Sequence, residues 1–191
     1  MAERWTRRNA HLLLDREPWL RVFADDVELP DGRRVDGFLR VEGLSYAMVF
    51  ALTDDRQVLL LRQYKYGPDA VVLELPAGYL EPGEAPEAGA RRELLEETGY
   101  GAARWEPLGS FYVDGNRGFG RAHLFLARGA RAVQPAASGD LEEMRVELVP
   151  LAGVAALFDT GEVQGLAPAA CAALALLRLN GADDRRPTTD G

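Results

Sequence analysis

The chain has 191 residues, 47% of them hydrophobic, and its 30 acidic against 22 basic side chains leave a formal net charge of −8. That length and apolar content suit one compact domain with a proper core and at most a small appendage. The acidic balance excludes a broad positive field of the kind that holds nucleic acid or an anionic membrane surface, so a polyanionic ligand needs a metal or a few placed cations.

In chain order, the opening MAERWTRRNAHLLLDREP has only Leu12, Leu13 and Leu14 as a continuous apolar run, too short for a secretory signal. Residues 19–43, WLRVFADDVELPDGRRVDGFLRVEG, alternate on either side of Leu29-Pro30-Asp31-Gly32 and read as a β-hairpin. Strand-like runs follow in YAMVFAL (46–52), QVLLLRQYK (57–65) and AVVLELPAG (70–78), the first two separated by the turn Thr53-Asp54-Asp55. The period then changes. Pro86 suits a first helical turn, residues 87–98 hold no further proline, and Gly99 suits the left-handed position that ends a helix. EPLGSFYVD (106–114) and RAHLFLARG (121–129) resume strand character around Gly115-Asn116-Arg117-Gly118-Phe119-Gly120, and RVELVPL (145–151) is one more strand. VAALFDTG and APAACAALALLRLN close the domain as helices, and the tail GADDRRPTTDG reads as disordered. The late apolar stretch 165–179 falls short of the ~20 residues of a bilayer span. The single cysteine, Cys171, makes an intramolecular disulfide impossible and points to a reducing compartment, with the thiol as a small buried residue of the last helix. Strands clustered around one central helix, with a second helix at the end, indicate an α+β or α/β/α sandwich.

On the central helix Glu93, Glu96 and Glu97 stand at i, i+3 and i+4, so three carboxylates share one arc roughly 100° wide. Ala90 and Leu94 lie beside that arc and can face the core. Arg92, four residues before Glu96, can pair with it and answers one of the three charges. Like charges at these spacings repel and push a carboxyl pKa upward unless a cation is present. A hard divalent cation such as Mg²⁺ or Mn²⁺ answers that demand; a solvated acidic face is the alternative that spacing alone leaves open.

The wider segment is more specific. Gly78, then Glu84, Arg92-Glu93-Leu94, Glu96-Glu97, Gly99 and Tyr100 resemble, at every fixed position, the box that defines the Nudix hydrolases. The likeness extends through RQYK, LELPAG, the FYVDG loop and EEMRVELVPL, over most of residues 46–151, and points to the ADP-ribose and nucleotide-sugar pyrophosphatase branch. It implies an α/β class fold, the Nudix α/β/α sandwich with a mixed sheet, as a hydrolase domain over 46–180 preceded by an N-terminal β-hairpin region (1–45) and followed by a tail (181–191). It also implies Mg²⁺- or Mn²⁺-dependent hydrolysis of a nucleoside diphosphate linked to another group. Metal ligation falls to Glu93 and Glu97, with support from Glu96 and the Ala77 carbonyl. Arg92 orients the carboxylates, Gly78 opens the box, and Glu84 is a structural or outer-sphere acid.

Cleaving a pyrophosphate also requires a group that takes a proton from the attacking water. The resemblance places that acid in Asp140-Leu141-Glu142-Glu143 and selects Glu142, with Glu143 and Asp140 open because loops shift register. For substrate, the fourth residue of RQYK, Arg in this branch, is Lys65, which keeps the charge and loses the fork. Where the branch carries proline after the box this chain has Gly115; Gly115, Gly118 and Gly120 permit close backbone approach, and Arg117 could meet a phosphate. Trp5, Trp19, Phe23 and Phe38 are the N-terminal candidates for base stacking. A cytoplasmic homodimer with a small nucleotide-derived substrate, and neither nucleic acid nor membrane as partner, completes the expectation. A nucleotide-sensing module and an RNA-end processing hydrolase are the rivals.

Overall fold

The computed structural model describes residues 3–139 and 143–183. The chain divides into two compact units: residues 1–45 with 111–122, and residues 46–110 with 123–191.

The first unit is an antiparallel meander of β1 (Thr6–Arg16), β2 (Leu20–Glu28) and β3 (Arg34–Gly43). The expected hairpin is β2–β3. Its turn closes through Leu29 N–H to Arg33 O at 2.8 Å and Gly32 N–H to Leu29 O at 3.0 Å, with Gly32 at φ 82°. β1 has no counterpart in the sequence reading. All eleven of its residues are exposed, so it carries none of the one-sided apolar alternation by which a half-buried strand announces itself. The unit is completed by the turn after Asp114, where β3 pairs in parallel with Gly118 through Val41.

The second unit contains β4 (Tyr46–Thr53), β5 (Gln57–Lys65), β6 (Ala70–Glu74), β7 (Ala77–Tyr79) and α1 (Pro86–Thr98), followed by β10 (Arg145–Pro150), a 3-10 turn Leu151–Gly153, α2 (Ala156–Asp159) and α3 (Leu166–Asp183). Two long strands, β8 (Tyr100–Asp114) and β9 (Gly118–Ala132), run through both units. In the second unit the sheet order is β9–β4–β5–β10, with β8 on β9, β6 on β5 and β7 on β4. The stretch 70–78, read as one strand, is two. Pro76 has no N–H to continue a ladder; its carbonyl accepts Val49 N–H at 2.9 Å, and beyond it the chain leaves β5 to pair with β4. β8 starts at Tyr100, directly after Gly99, six residues before the strand expected there.

β4 explains the layering. Ala47, Val49 and Ala51 cluster with Ala90 and Leu94 of α1. Alternation turns Met48, Phe50 and Leu52 to the other face, and α3 also packs against β4. Cys171 of α3, fully buried, lies 4.0 Å from the Phe125 carbonyl, and burial pushes its thiol pKa up to about 12. This mixed sheet with helices is the α/β/α sandwich class that the sequence implied. Among the described residues no helix is long and apolar enough to cross a membrane.

Candidate active site

Local chemistry explains why α1 sits where it does. Pro86 occupies the first turn, Gly99 ends the helix at φ 73° with its N–H on Leu95 O at 2.8 Å, and Ala90 and Leu94 are fully buried. Fixing that face to the core leaves Arg92, Glu93, Glu96 and Glu97 at the strand-loop segment 77–84.

Arg92 is the hub. Its Nε–H donates to Glu84 Oε1 at 3.0 Å, and Nη2 donates to Glu84 Oε2 at 2.9 Å and to the Tyr79 carbonyl at 3.0 Å. Nη1 donates to Glu93 Oε1 at 2.6 Å and to Glu96 Oε2 at 3.1 Å. The guanidinium has five N–H donors, and these five contacts use them all. The expectation that Arg92 answers one carboxylate is therefore corrected: it answers Glu84, Glu93 and Glu96. Glu84 lies eight residues away across a loop, a separation that helical periodicity does not cover. The Arg92 fork, with a further hydrogen bond from Glu81 N–H at 3.0 Å, holds the Glu84 carboxyl below its usual pKa range, and the same bonds raise Arg92.

Gly78 and Glu97 seat the carboxylates on β7. A Cβ built on Gly78 would lie 2.1–2.3 Å from the Glu93 carboxylate, so a residue without a side chain is needed for Glu93 to rest on that backbone. Glu97, only 7% exposed, accepts the Ala77 N–H at 2.9 Å. The Glu93 side chain is 12% exposed, and that of Glu96, at 47%, is open to solvent.

This donor set suits a hard divalent cation: carboxylate oxygens, two of them from one helix face, in a cradle that a Gly78 Cβ would fill. Among the described residues no three His, Cys, Asp or Glu side chains converge to hold a metal by themselves. Mg²⁺ characteristically takes one or two carboxylates and completes its shell with water and substrate phosphate oxygens, so the set fits that mode and not an all-protein cage.

Of the other expected residues, Lys65 ends β5 in the second unit, paired with Ala70. Gly115 and Arg117 belong to the first unit, in the turn where Asp114 accepts the backbone N–H groups of Asn116 and Arg117 at 2.8 and 2.9 Å. A Cβ on Gly115 would meet nothing within 4 Å, so the glycine requirement lies elsewhere in that loop. It lies at Gly118 (φ 99°) and Gly120 (φ 69°), where a Cβ would approach Val41 O at 2.8 Å and Leu44 O at 2.3 Å. Asp140 and Glu142 fall outside the described residues; Glu143 is described and exposed. The first unit has a cavity of about 460 Å³ whose lining includes Trp5, Phe38, Tyr112, Phe119, Arg40 and Arg117. Trp5 meets Phe38 edge to face at 5.6 Å, whereas Phe23 lies under the Arg40 guanidinium at 4.2 Å and Trp19 is 62% exposed.

A family model for the NUDIX domain matches residues 44–167. This chain belongs to the Nudix hydrolase family. An ADP-ribose pyrophosphatase of Bacillus subtilis is 32% identical over 74% of this chain and 77% of its own length. A CMP-5'-(N-acetyl-N-hydroxy-3-aminopropyl)phosphonate hydrolase of Streptomyces rubellomurinus is 32% identical over 94% of this chain and 85% of its own. The crystal structure of an ADP compounds hydrolase superposes with a TM-score of 0.84 at 22% identity, covering 95% of this chain and 97% of that one, and shows the shared fold. This chain falls in the ADP-ribose pyrophosphatase branch and is a pyrophosphohydrolase. Enzymes of this family work with a divalent metal.

Proposed function

We propose that this Nudix enzyme uses Mg²⁺ or Mn²⁺ to hydrolyse the pyrophosphate bond of a nucleoside diphosphate linked to another group, ADP-ribose first among them, giving two phosphomonoesters. The observation that carries the reading is the seating of two carboxylates of one helix on β7: Glu93 over Gly78, and Glu97 on the Ala77 N–H. Glu93 and Glu97 hold the metal, with Glu96 in support. The Ala77 carbonyl, carried over from the resemblance, joins them in the same proposal. The metal neutralises phosphate charge and lowers the pKa of bound water.

The chain's own groups do the rest. Arg92, held by Glu84 and Tyr79 O, keeps the Glu93 carboxylate in place before substrate arrives. Glu142 accepts the proton of the attacking water, with Glu143 or Asp140 as the alternative acceptor. Lys65 and Arg117 meet phosphate oxygens as point charge and fork. Gly115 offers substrate the open backbone of its turn. The enzyme works as a cytoplasmic homodimer, in a reducing compartment that suits its one buried thiol.

A cytidine nucleotide is the second reading, favoured by the Streptomyces relative, which matches nearly the whole chain. Incubation with Mg²⁺ or Mn²⁺ and a panel of ADP-ribose, ADP-glucose, GDP-mannose, CMP-linked phosphonates and capped RNA, followed by detection of phosphomonoesters, decides the substrate. No product from any compound would favour a nucleotide sensor; product from RNA alone would favour the end-processing reading. Glu142→Gln is expected to cut turnover with little loss of substrate or metal binding, and near-normal turnover removes Glu142 from the mechanism.

A further inference from the structure

A row of polar side chains outside the carboxylate site runs along one face of β5 and β6. The register pairs Leu61 with Glu74, Gln63 with Val72 and Lys65 with Ala70, and paired residues of neighbouring strands turn their side chains to the same face. Gln63 therefore stands between Lys65, two positions along its own strand, and Glu74, its diagonal neighbour across the ladder, at a separation of about 7–8 Å that long side chains span. Gln63 is only 5% exposed, yet its side chain has no hydrogen-bond partner among the described residues. An amide enclosed to that degree ordinarily has one, and an unpaired group of this kind costs the fold. It is not sealed off, because its nitrogen and oxygen both keep some solvent access. Glu74 repeats the pattern. Its half-buried carboxylate has neither hydrogen bond nor ion pair among the described residues, and burial raises its pKa against the charge of Lys65. Gly165, just before α3, leaves it room: Oε1 lies 3.2 Å from where a Gly165 Cβ would stand. Beyond Glu74 the chain crosses Pro76 to reach Ala77 and Gly78, the backbone on which Glu97 and Glu93 are seated.

We propose that Gln63 and Glu74 are specificity-determining residues that bind a pair of sugar hydroxyls of the substrate. This rests on the reading that the substrate is a nucleoside diphosphate derivative whose phosphate meets Lys65. The donor and acceptor inventory selects hydroxyls. An ionised carboxylate only accepts hydrogen bonds and repels phosphate, whereas an amide side chain both donates and accepts. A vicinal diol brings two O–H donors and no charge, so it satisfies Glu74 and Gln63 together, while Lys65 at the end of the row is left for the phosphate beside the sugar. Bonds from hydroxyls to the carboxylate are charge-assisted. A ligand lacking one of those hydroxyls covers the same two groups and leaves them unpaired, which is the strongest form of rejection open to a site of this size. The two groups that cost the empty protein stability are the two that read the sugar.

The test uses full-length protein and three compounds: ADP-ribose, its analogue without the 2′-hydroxyl of the adenosine ribose, and its analogue without the 2″-hydroxyl of the distal ribose. The parent is expected to prefer ADP-ribose over one analogue by on the order of 10- to 100-fold in kcat/KM, and which analogue is rejected identifies the sugar that is read. Gln63→Met and Glu74→Gln should each lose most of that preference, chiefly through a raised KM for ADP-ribose, without lowered urea midpoints. The two variants are independent, so if one does not fold the other decides. Equal handling of all three compounds by the parent overturns the proposal, as does a preference that survives in the folded variants or a loss that is equal for every compound. Dissociation constants of the same compounds, measured by calorimetry with Ca²⁺, separate this proposal from the reading it rests on. Hydroxyl discrimination in binding without turnover fails the hydrolysis of ADP-ribose alone; turnover without discrimination fails the present proposal alone; neither binding nor turnover overturns both.

Discussion

Replacing Gly78 with alanine places a methyl group 2.1 Å from the Glu93 carboxyl carbon, a contact that must open to at least about 3.0 Å. The backbone of β7 is held by its pairing with β4, so the carboxylate has to move, by on the order of 1 Å. That shift strains the 2.6 Å bond from Arg92, a charge-assisted contact to a side chain only 12% exposed, worth about 1.5–3 kcal/mol. Fold and helix content should survive, because the core residues Ala90 and Leu94 are untouched. Titration with Mn²⁺ followed by electron paramagnetic resonance should show affinity lowered about tenfold or more, and kcat should drop on the order of 10²-fold. Gly67→Ala is the control, since a Cβ there meets nothing within 4 Å. If Gly78→Ala bound Mn²⁺ and turned over like the parent, the seating of Glu93 on β7 would have no part in the site.

The charges set three further outcomes. Arg92→Lys replaces five donors by three and should lower unfolding stability by about 2 kcal/mol in urea titrations, since the guanidinium serves Glu84, Glu93, Glu96 and Tyr79 O at once. The Glu84 carboxyl is held below its ordinary pKa by that guanidinium, so its contribution is complete above the ordinary carboxylate range and lost as pH falls through the lowered value; Arg92→Ala should be less stable than the parent at neutral pH, with the difference shrinking as pH falls through that window. Glu74 has the opposite sign. Burial pushes its carboxyl up, against the opposing charge of Lys65, so its ionised form costs the native state. Glu74→Gln should raise the urea midpoint at neutral pH, with the gain shrinking as pH falls into the range where the parent Glu74 is protonated.

Much of the second unit was legible because its signals are local. Pro86, the uninterrupted 87–98 and Gly99 bound α1 to within a residue, and short strand-like runs marked β4 and β5, which are almost wholly buried. β1 was not legible, since an edge strand exposed at every position has no face to pattern. The break at Pro76 was visible as a residue but not as an event: whether a proline ends a strand or merely crosses it depends on which neighbour takes up its carbonyl, and that neighbour is Val49, 27 positions earlier. The glycines of the 115–120 turn were not separable for a related reason. Three glycines look alike in a sequence, and only the approach of Val41 O and Leu44 O distinguishes Gly118 and Gly120 as the ones that must lack a side chain.

By itself the sequence carried the resemblance to the Nudix box, which implied the reaction family, and the arc shared by Glu93, Glu96 and Glu97, because both are local properties of the chain. Tertiary structure decided how those charges are balanced. Arg92 gathers Glu84 and Tyr79 O from the preceding loop, Gly78 gives Glu93 its seat, and Ala77 takes Glu97. The hydrogen bonds of the Gly99 carbonyl and of Arg62 likewise join residues 34 to 100 positions apart. Hydrogen bonds act over about 3 Å whatever the separation along the chain, so contacts of this kind exist only once β7, α1, β5 and β10 have packed.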